Sequence, residues 1–176
     1  MVSGNFGDSR PALILLSGLP GAGKTTFATE LRKHLAFEHV ESDRIRAEVA
    51  PVPRFTPGES GVVFRLAEAA VRRALESNCH ALLDATNLTN KDRRRFLKAA
   101  EQLGAVVVAV RIAAPEGVIR QRLAEPREGF SKAGEDVLDK FLSRPQPFGI
   151  PAVVVDSRFP LAPAIELVLA LVNGSD

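Results

Sequence analysis

The sequence predicts an α/β fold, a parallel sheet covered by helices on both faces, and three observations carry that prediction. Short apolar runs alternate with segments of helical periodicity along the chain. Residues 18 to 25 read Gly-Leu-Pro-Gly-Ala-Gly-Lys-Thr, the complete G-x-x-x-x-G-K-[ST] spacing, between an apolar run and a helix. The length, 176 residues, suits one domain able to bury most of its apolar surface. Residues 1–9 read as a loose tail and 10–176 as a single domain, with no internal repeat.

In chain order, Ala12 to Ser17 is apolar throughout, as a buried strand is. Thr26 to Leu35 places Phe27, Leu31 and Leu35 four apart on one helical face. His39 to Asp43 is short and extended, and Arg44 to Val49 forms a helical turn or two. The breaker-rich stretch from Ala50 to Gly58 is a surface loop. Val63, Leu66, Ala70 and Ala74 recur at helical spacing, giving a helix from about Glu59 to Ser77. His80 to Asp84 is the next strand, and Thr89-Asn-Lys-Asp92 has the form of a capping box opening a helix to Leu103, stopped by Gly104. Ala105 to Ile112 is a strand, Pro115 to Ala124 helical, Glu125 to Ala133 polar loop, and Glu135 to Leu142 helix. Val153 to Asp156 is the last strand and Leu161 to Val172 the closing helix.

The glycine loop has a chemical reading. Gly18, Leu19, Pro20, Gly21, Ala22 and Gly23 let backbone N–H groups turn inward around phosphate oxygens, and the following helix adds its positive end. Lys24 reaches the β- and γ-phosphates, and the Thr25 hydroxyl can ligate magnesium. Nucleoside triphosphate binding follows, but kinases, switches, transport ATPases and helicases all share it.

Three further clusters bear on that choice. Ser42-Asp43-Arg44-Ile45-Arg46 lies at the carboxyl end of the second strand, the edge where open α/β sheets bind ligands. Asp43 there either accepts the proton of an attacking hydroxyl or, with Ser42, merely caps the next helix. Arg46, three residues on, shares its helical face and can hold an anionic group. Asp84-Ala-Thr-Asn87 follows an apolar strand and suits a carboxylate on the magnesium side, with Thr86 and Asn87 as acceptor-pocket candidates. In the third cluster, at about 100° per residue, Arg122 falls inside an apolar stripe with Val118 and Ile119. Burying it unpaired is costly, so phosphate is its natural partner. Arg120 falls on the opposite face. Arg127 follows Pro126 in the polar loop, where a mobile cover would bring it over the triphosphate.

Lys91, Arg93, Arg94, Arg95 and Lys98 form a basic run, either a solvated helix face or a nucleic-acid strip. A net charge of +2 and a pI near 9.0 permit a polyanion partner without requiring one. Cys79 and the three histidines have no metal-ligand spacing and read as structural. A lone cysteine, and no charged segment leading into an apolar signal, point to the cytoplasm. No apolar run approaches the ~20 residues of a membrane span.

Taken together, the loop, Ser42 to Arg46, Asp84 to Leu88 followed by Arg93 to Arg95, and the two arginines 122 and 127 resemble the P-loop kinases related to polynucleotide 5′-kinase. The resemblance covers about residues 12 to 173 and includes Phe55 to Phe64. It implies a five-stranded sheet in the order 2-3-1-4-5 with a helical lid over about 115–142, ATP with Mg2+, and γ-phosphoryl transfer to a hydroxyl. It implies Thr26 at the α-phosphate, Asp43 as general base, Arg46 on the acceptor's phosphate, Asp84 beside the site, and Arg122 and Arg127 as lid residues on the β/γ-phosphates. The expected acceptor is a 5′-hydroxyl end of DNA or RNA, which Arg46 and the basic helix suit. The alternatives are a small-molecule alcohol (a sugar, nucleotide-sugar or antibiotic) and, from another class, an ATP-dependent binding or switch protein.

Overall fold

Five strands pair side by side into one parallel sheet in the order β2-β3-β1-β4-β5. They are β1 (Ala12–Ser17), β2 (Glu38–Glu41), β3 (Ala81–Asp84), β4 (Val106–Ala113) and β5 (Ala152–Asp156). The computed structural model describes residues 10–50, 52–125, 135–143 and 145–174. The tail at 1–9, most of the polar loop at 125–133, and with it Arg127, lie outside the described residues.

The central strand explains its own composition. Leu13 to Leu15 pair with Ala81 to Leu83 on one side, and Ala12 to Ser17 pair with Val106 to Arg111 on the other. With helices on both faces no β1 side chain reaches water, so the strand reads as an unbroken apolar run instead of an alternating one. Ala12, Ile14 and Leu16 pack into a core with Phe27, Leu31, Ile119 and Val168; Leu13 and Leu15 pack with Ala67, Val71 and Phe96 on the other side. Each large side chain so buried is worth roughly 1.5–3 kcal/mol.

The helices are α1 (Lys24–Leu31), α2 (Ser42–Val49), α3 (Pro57–Glu76), α4 (Asn90–Gln102), α5 (Glu116–Ala124), α6 (Glu135–Phe141) and α7 (Ala162–Asn173). Three stretches differ by two residues or more from the sequence reading. Helix α1 stops at Leu31, and the chain continues to Leu35 through turns such as Leu35 N–H to Leu31 C=O. Ser42 and Asp43, read as the end of an extended segment, form the first turn of α2, with Glu41 as N-cap. Pro57 and Gly58, read as loop, begin α3: the Thr56 hydroxyl accepts from the Glu59 N–H, and proline at N1 forgoes a donor that has no helical partner. The capping box of α4 forms as the spacing predicts, with Thr89 and Asp92 exchanging bonds.

Parallel strands point their carboxyl ends the same way. That edge carries the turn from β1 into α1, the start of α2 and the end of β3.

Candidate active site

The turn from β1 to α1 is held by geometry available to few residues other than glycine. Gly21 and Gly23 have φ of 77° and 104°, and a Cβ added at Gly23 would sit 3.2 Å from the Ser157 Cβ. A Cβ at Gly18 would meet the Ile112 carbonyl at 2.5 Å, so the loop passes β4 only as glycine. Lys24, the first residue of α1, folds back and donates to the Gly18 and Leu19 carbonyls, each at 3.1 Å. Burial lowers its pKa, against the opposing pull of Asp84 and Asp43.

Next to it, the Thr25 hydroxyl donates to Asp84 Oδ2 at 2.9 Å. Asp84 ends β3 opposite Glu41 of β2 and is buried. Burial acts to raise its pKa, but His39, Lys24 and Thr25 outweigh it and hold the carboxyl below its ordinary value. A hydroxyl and an ionised carboxylate are hard oxygen donors of the kind magnesium takes, usually with phosphates and water completing the shell. The pair therefore fits that ion.

The opposite wall comes from α2 and α3. Asp43 lies in the first turn of α2, whose N-cap position is taken by Glu41. Arg46, one turn on, is buried; its guanidinium pairs with Glu59 of α3 and stacks over Phe55, 4.8 Å from the ring centre. Glu59 also accepts from the Arg54 N–H at 2.9 Å. Phe55 itself has φ of 53°, a left-handed conformation uncommon outside glycine. Glu59 and Phe55 had no assigned part in the sequence reading; a glutamate three residues past a Thr-Pro helix start was the available signal.

These walls enclose a cavity of about 480 Å³, lined by Pro20, Gly21, Gly23, Lys24, Thr25, Thr26, Asp43, Arg46, Asp84, Thr86 and Arg122, and by Phe55 and Phe64. Gly18, Leu19 and Ala22 line a separate cavity of about 150 Å³.

Three sequence-derived residues are placed differently from expectation. Asn87, an acceptor-pocket candidate, is fully buried and does not line the main cavity; its side chain donates to the Leu16 carbonyl at 2.7 Å, tying the end of β3 to β1. Arg122 reaches the phosphate loop, but from its carbonyl side: Nη1 donates to Ser157 Oγ at 2.8 Å and to the Gly21 and Ala22 carbonyls at 3.4 and 3.3 Å. Arg93, taken as part of a solvated or nucleic-acid-binding strip, is 2% exposed. It donates to the carbonyls of Asn87, Leu88, Gln146 and Pro147 and stacks 4.3 Å from the Phe148 ring centre. Periodicity missed this because the segment that covers Arg93, Gln146 to Phe148, lies more than fifty residues away. Arg120 lies outward as expected, paired with Glu116 and Asp139.

The histidines, read as scattered, include one at the site. His39 Nε2 lies 3.5 Å from Asp84 Oδ2 and its Nδ1 3.5 Å from Glu41 Oε1. Their spacing in sequence gave no sign of this, since Asp84 arrives from a different strand.

The family model AAA_33, described as an AAA domain, matches residues 13–148, and the chain belongs to that family. A curated relative, the L-seryl-tRNA(Sec) kinase of Methanococcus maripaludis, is 29% identical over 118 residues, 64% of this chain and 45% of the relative. The chain thus spans less than half the length of that protein. Among solved structures, a sugar kinase from Janibacter sp. aligns with TM-score 0.71 at 19% identity, covering 94% of this chain and 95% of the other. The APS kinase of Mycobacterium tuberculosis, solved with AMPPNP and APS, aligns with TM-score 0.70 at 15% identity over 93% and 98%. A chain of the Pnkp1/Rnl/Hen1 RNA repair complex aligns with TM-score 0.63 at 22% identity over 80% and 45%. Among the described residues, no helix is long and apolar enough to cross a membrane.

Proposed function

We propose that this AAA_33 member is an ATP-dependent kinase that transfers the γ-phosphoryl group to a hydroxyl. The observation that carries the reading is one cavity with a phosphate loop, Lys24 and the Thr25–Asp84 pair on one wall and Asp43 with Arg46 on the other. A switch or motor has no need of a carboxylate base on a second, substrate-sized wall. The names of the relatives, kinases for a seryl-tRNA, a sugar and APS, point the same way.

In the proposed reaction, Lys24 leaves the Gly18 and Leu19 carbonyls for the β/γ-phosphates, and the backbone N–H groups of the loop take the phosphate oxygens. Asp43, with no hydrogen bond or ion pair among the described residues, accepts the proton of the acceptor hydroxyl as its oxygen bonds to the γ-phosphorus. The bond to the β–γ bridging oxygen breaks, and ADP departs. Thr25 and Asp84 would hold magnesium, which when bound would supply charge neutralisation on the phosphates. Arg122 fixes the loop from its carbonyl side, and Arg127, from the adjoining segment, is the arginine we assign to the γ-phosphate.

For the acceptor we favour a small-molecule alcohol. Arg46 is already paired with Glu59, Phe55 and Phe64 wall the pocket, and Arg93 is withdrawn from the basic strip. The second reading, a 5′-hydroxyl DNA or RNA end, draws on the tRNA kinase and RNA repair relatives and on Lys91, Arg94 and Lys98, which stay exposed on α4. Incubation with γ-labelled ATP and separate pools of metabolite alcohols, 5′-hydroxyl DNA and 5′-hydroxyl RNA tests both. Label in the metabolite pool alone is the expected result; label in nucleic acid alone selects the second reading. ATP binding with no transfer to any pool removes the kinase.

A further inference from the structure

Asp84 is the acid on the cation side of the proposed reaction, and its usefulness depends on which carboxylate oxygen faces the cavity. Oδ2 is held from one direction by the Thr25 hydroxyl at 2.9 Å and faced from another by His39 Nε2 at 3.5 Å. Among the described residues Oδ1 makes no hydrogen bond. His39 is itself set in place. Its side chain is 12% exposed, Phe37 meets its ring edge-to-face at 6.1 Å, and Glu41 lies 3.5 Å from Nδ1. The β2–β3 register explains the meeting: Glu41 pairs with Asp84, and His39, two residues earlier on β2, projects to the same face as Glu41. His39 Nε2 is buried and has no hydrogen-bond partner of full geometry. A buried donor left short of an acceptor is costly unless the acceptor comes to it.

We infer that His39 is a positioning residue: with Thr25 it pins Asp84 Oδ2, so that Oδ1 is the oxygen presented to the hydrated cation of the nucleotide complex. The inference rests on the kinase reading, through the part given to Asp84. Thr25 has two tasks there, a lone pair for the cation and a proton for Asp84. A second contact on Oδ2 keeps the carboxylate aimed when Thr25 shifts toward the ion. Glu41 orients the imidazole so that Nε2, not Nδ1, faces Asp84. Residues that orient a metal-side ligand typically matter ~10- to 100-fold in metal affinity when removed.

The test measures Mn2+ binding by electron paramagnetic resonance with the full chain saturated by ADP, which needs no acceptor, alongside ADP binding in EDTA. His39→Leu removes the donor; His39→Gln keeps an N–H near the position of Nε2. Mn2+ affinity in the ADP complex is expected to fall ~10-fold in H39L and to stay within about threefold of native in H39Q, with ADP binding in EDTA unchanged in both. Equal Mn2+ affinity in native and H39L overturns the inference, as does equal loss in H39L and H39Q, which would make His39 a packing residue. Mn2+ binding to the native chain without nucleotide, abolished in H39Q, also overturns it and makes His39 a ligand. Absence of nucleotide-dependent Mn2+ binding in the native chain is a different failure, that of the kinase reading itself.

Discussion

The two walls of the cavity are built by different means. The donor wall is largely backbone: a loop of consecutive residues whose positive-φ glycines and close approach to β4 admit one path, with Lys24 and Thr25 fixed by opening α1. The wall to which we assign the acceptor is built from side chains, with Asp43 and Arg46 from α2, Phe55 from a loop and Phe64 from α3, and Glu59 of α3 paired to Arg46. Backbone sites are written in contiguous sequence and take one ligand class, here phosphate. Side-chain walls assembled from three elements can be rebuilt by single substitutions, which suits a fold that serves many acceptors.

The largest test of that contrast is Asp43→Asn. We expect γ-phosphoryl transfer to fall by ~10² to 10⁴, the usual contribution of a general base, while ATP affinity by calorimetry stays within about threefold. An ATP affinity that falls with transfer would mean the walls are not separable.

Arg93→Leu follows, as a structural test of the frame beneath both walls. It strips the donor from buried carbonyls of two segments, Asn87–Leu88 and Gln146–Pro147. Unfolding in urea should show a loss of roughly 3 kcal/mol. Arg93→Lys should not restore it, because one ammonium cannot span the acceptors that a planar fork reaches.

The converse of the first test is Lys24→Ala. ATP affinity should drop by roughly 10- to 100-fold, the loss of a charge-assisted contact, with acceptor binding measured in the absence of ATP unchanged. Phe55→Ala sharpens the acceptor side with a smaller effect: acceptor KM should rise about tenfold at constant ATP affinity, from lost stacking area.

The smallest effect concerns pH. Asp84 has its pKa lowered in the fold, so its ionised form contributes stability that is fully present above the ordinary aspartate value and is lost as pH falls through the lowered one. Asp84→Asn should therefore flatten the acid limb of urea midpoints measured between about pH 5 and pH 2. An unchanged acid limb would mean that the His39, Lys24 and Thr25 contacts do not bias the carboxylate's titration.

Much of this was legible beforehand for a physical reason. An eight-residue loop with fixed glycine spacing, flanked by a fully apolar strand and a helix, encodes its own conformation, so the donor wall could be read residue by residue. The capping box at Thr89 was legible for the same reason, since all its partners lie within four residues. Where reading failed, the partners were distant. Asn87 looked like a pocket residue because it follows Asp84, but Leu16 takes its side chain. Arg93 looked solvated because its neighbours are basic, yet its acceptors come from beyond residue 145 as well as from its own turn.

By itself the sequence determined the parallel α/β class, the phosphate loop at 18–25 and the strand-end position of Asp84, because each rests on periodicity or on spacing within a few residues. Only the tertiary structure decided that Glu59 takes Arg46, that Arg93 is buried, and that His39 and Glu41 stand beside Asp84. Those contacts depend on the register of β2 against β3 and on the packing of α2, α3 and α4. Register is set by the burial of the whole sheet, which no local stretch of sequence contains.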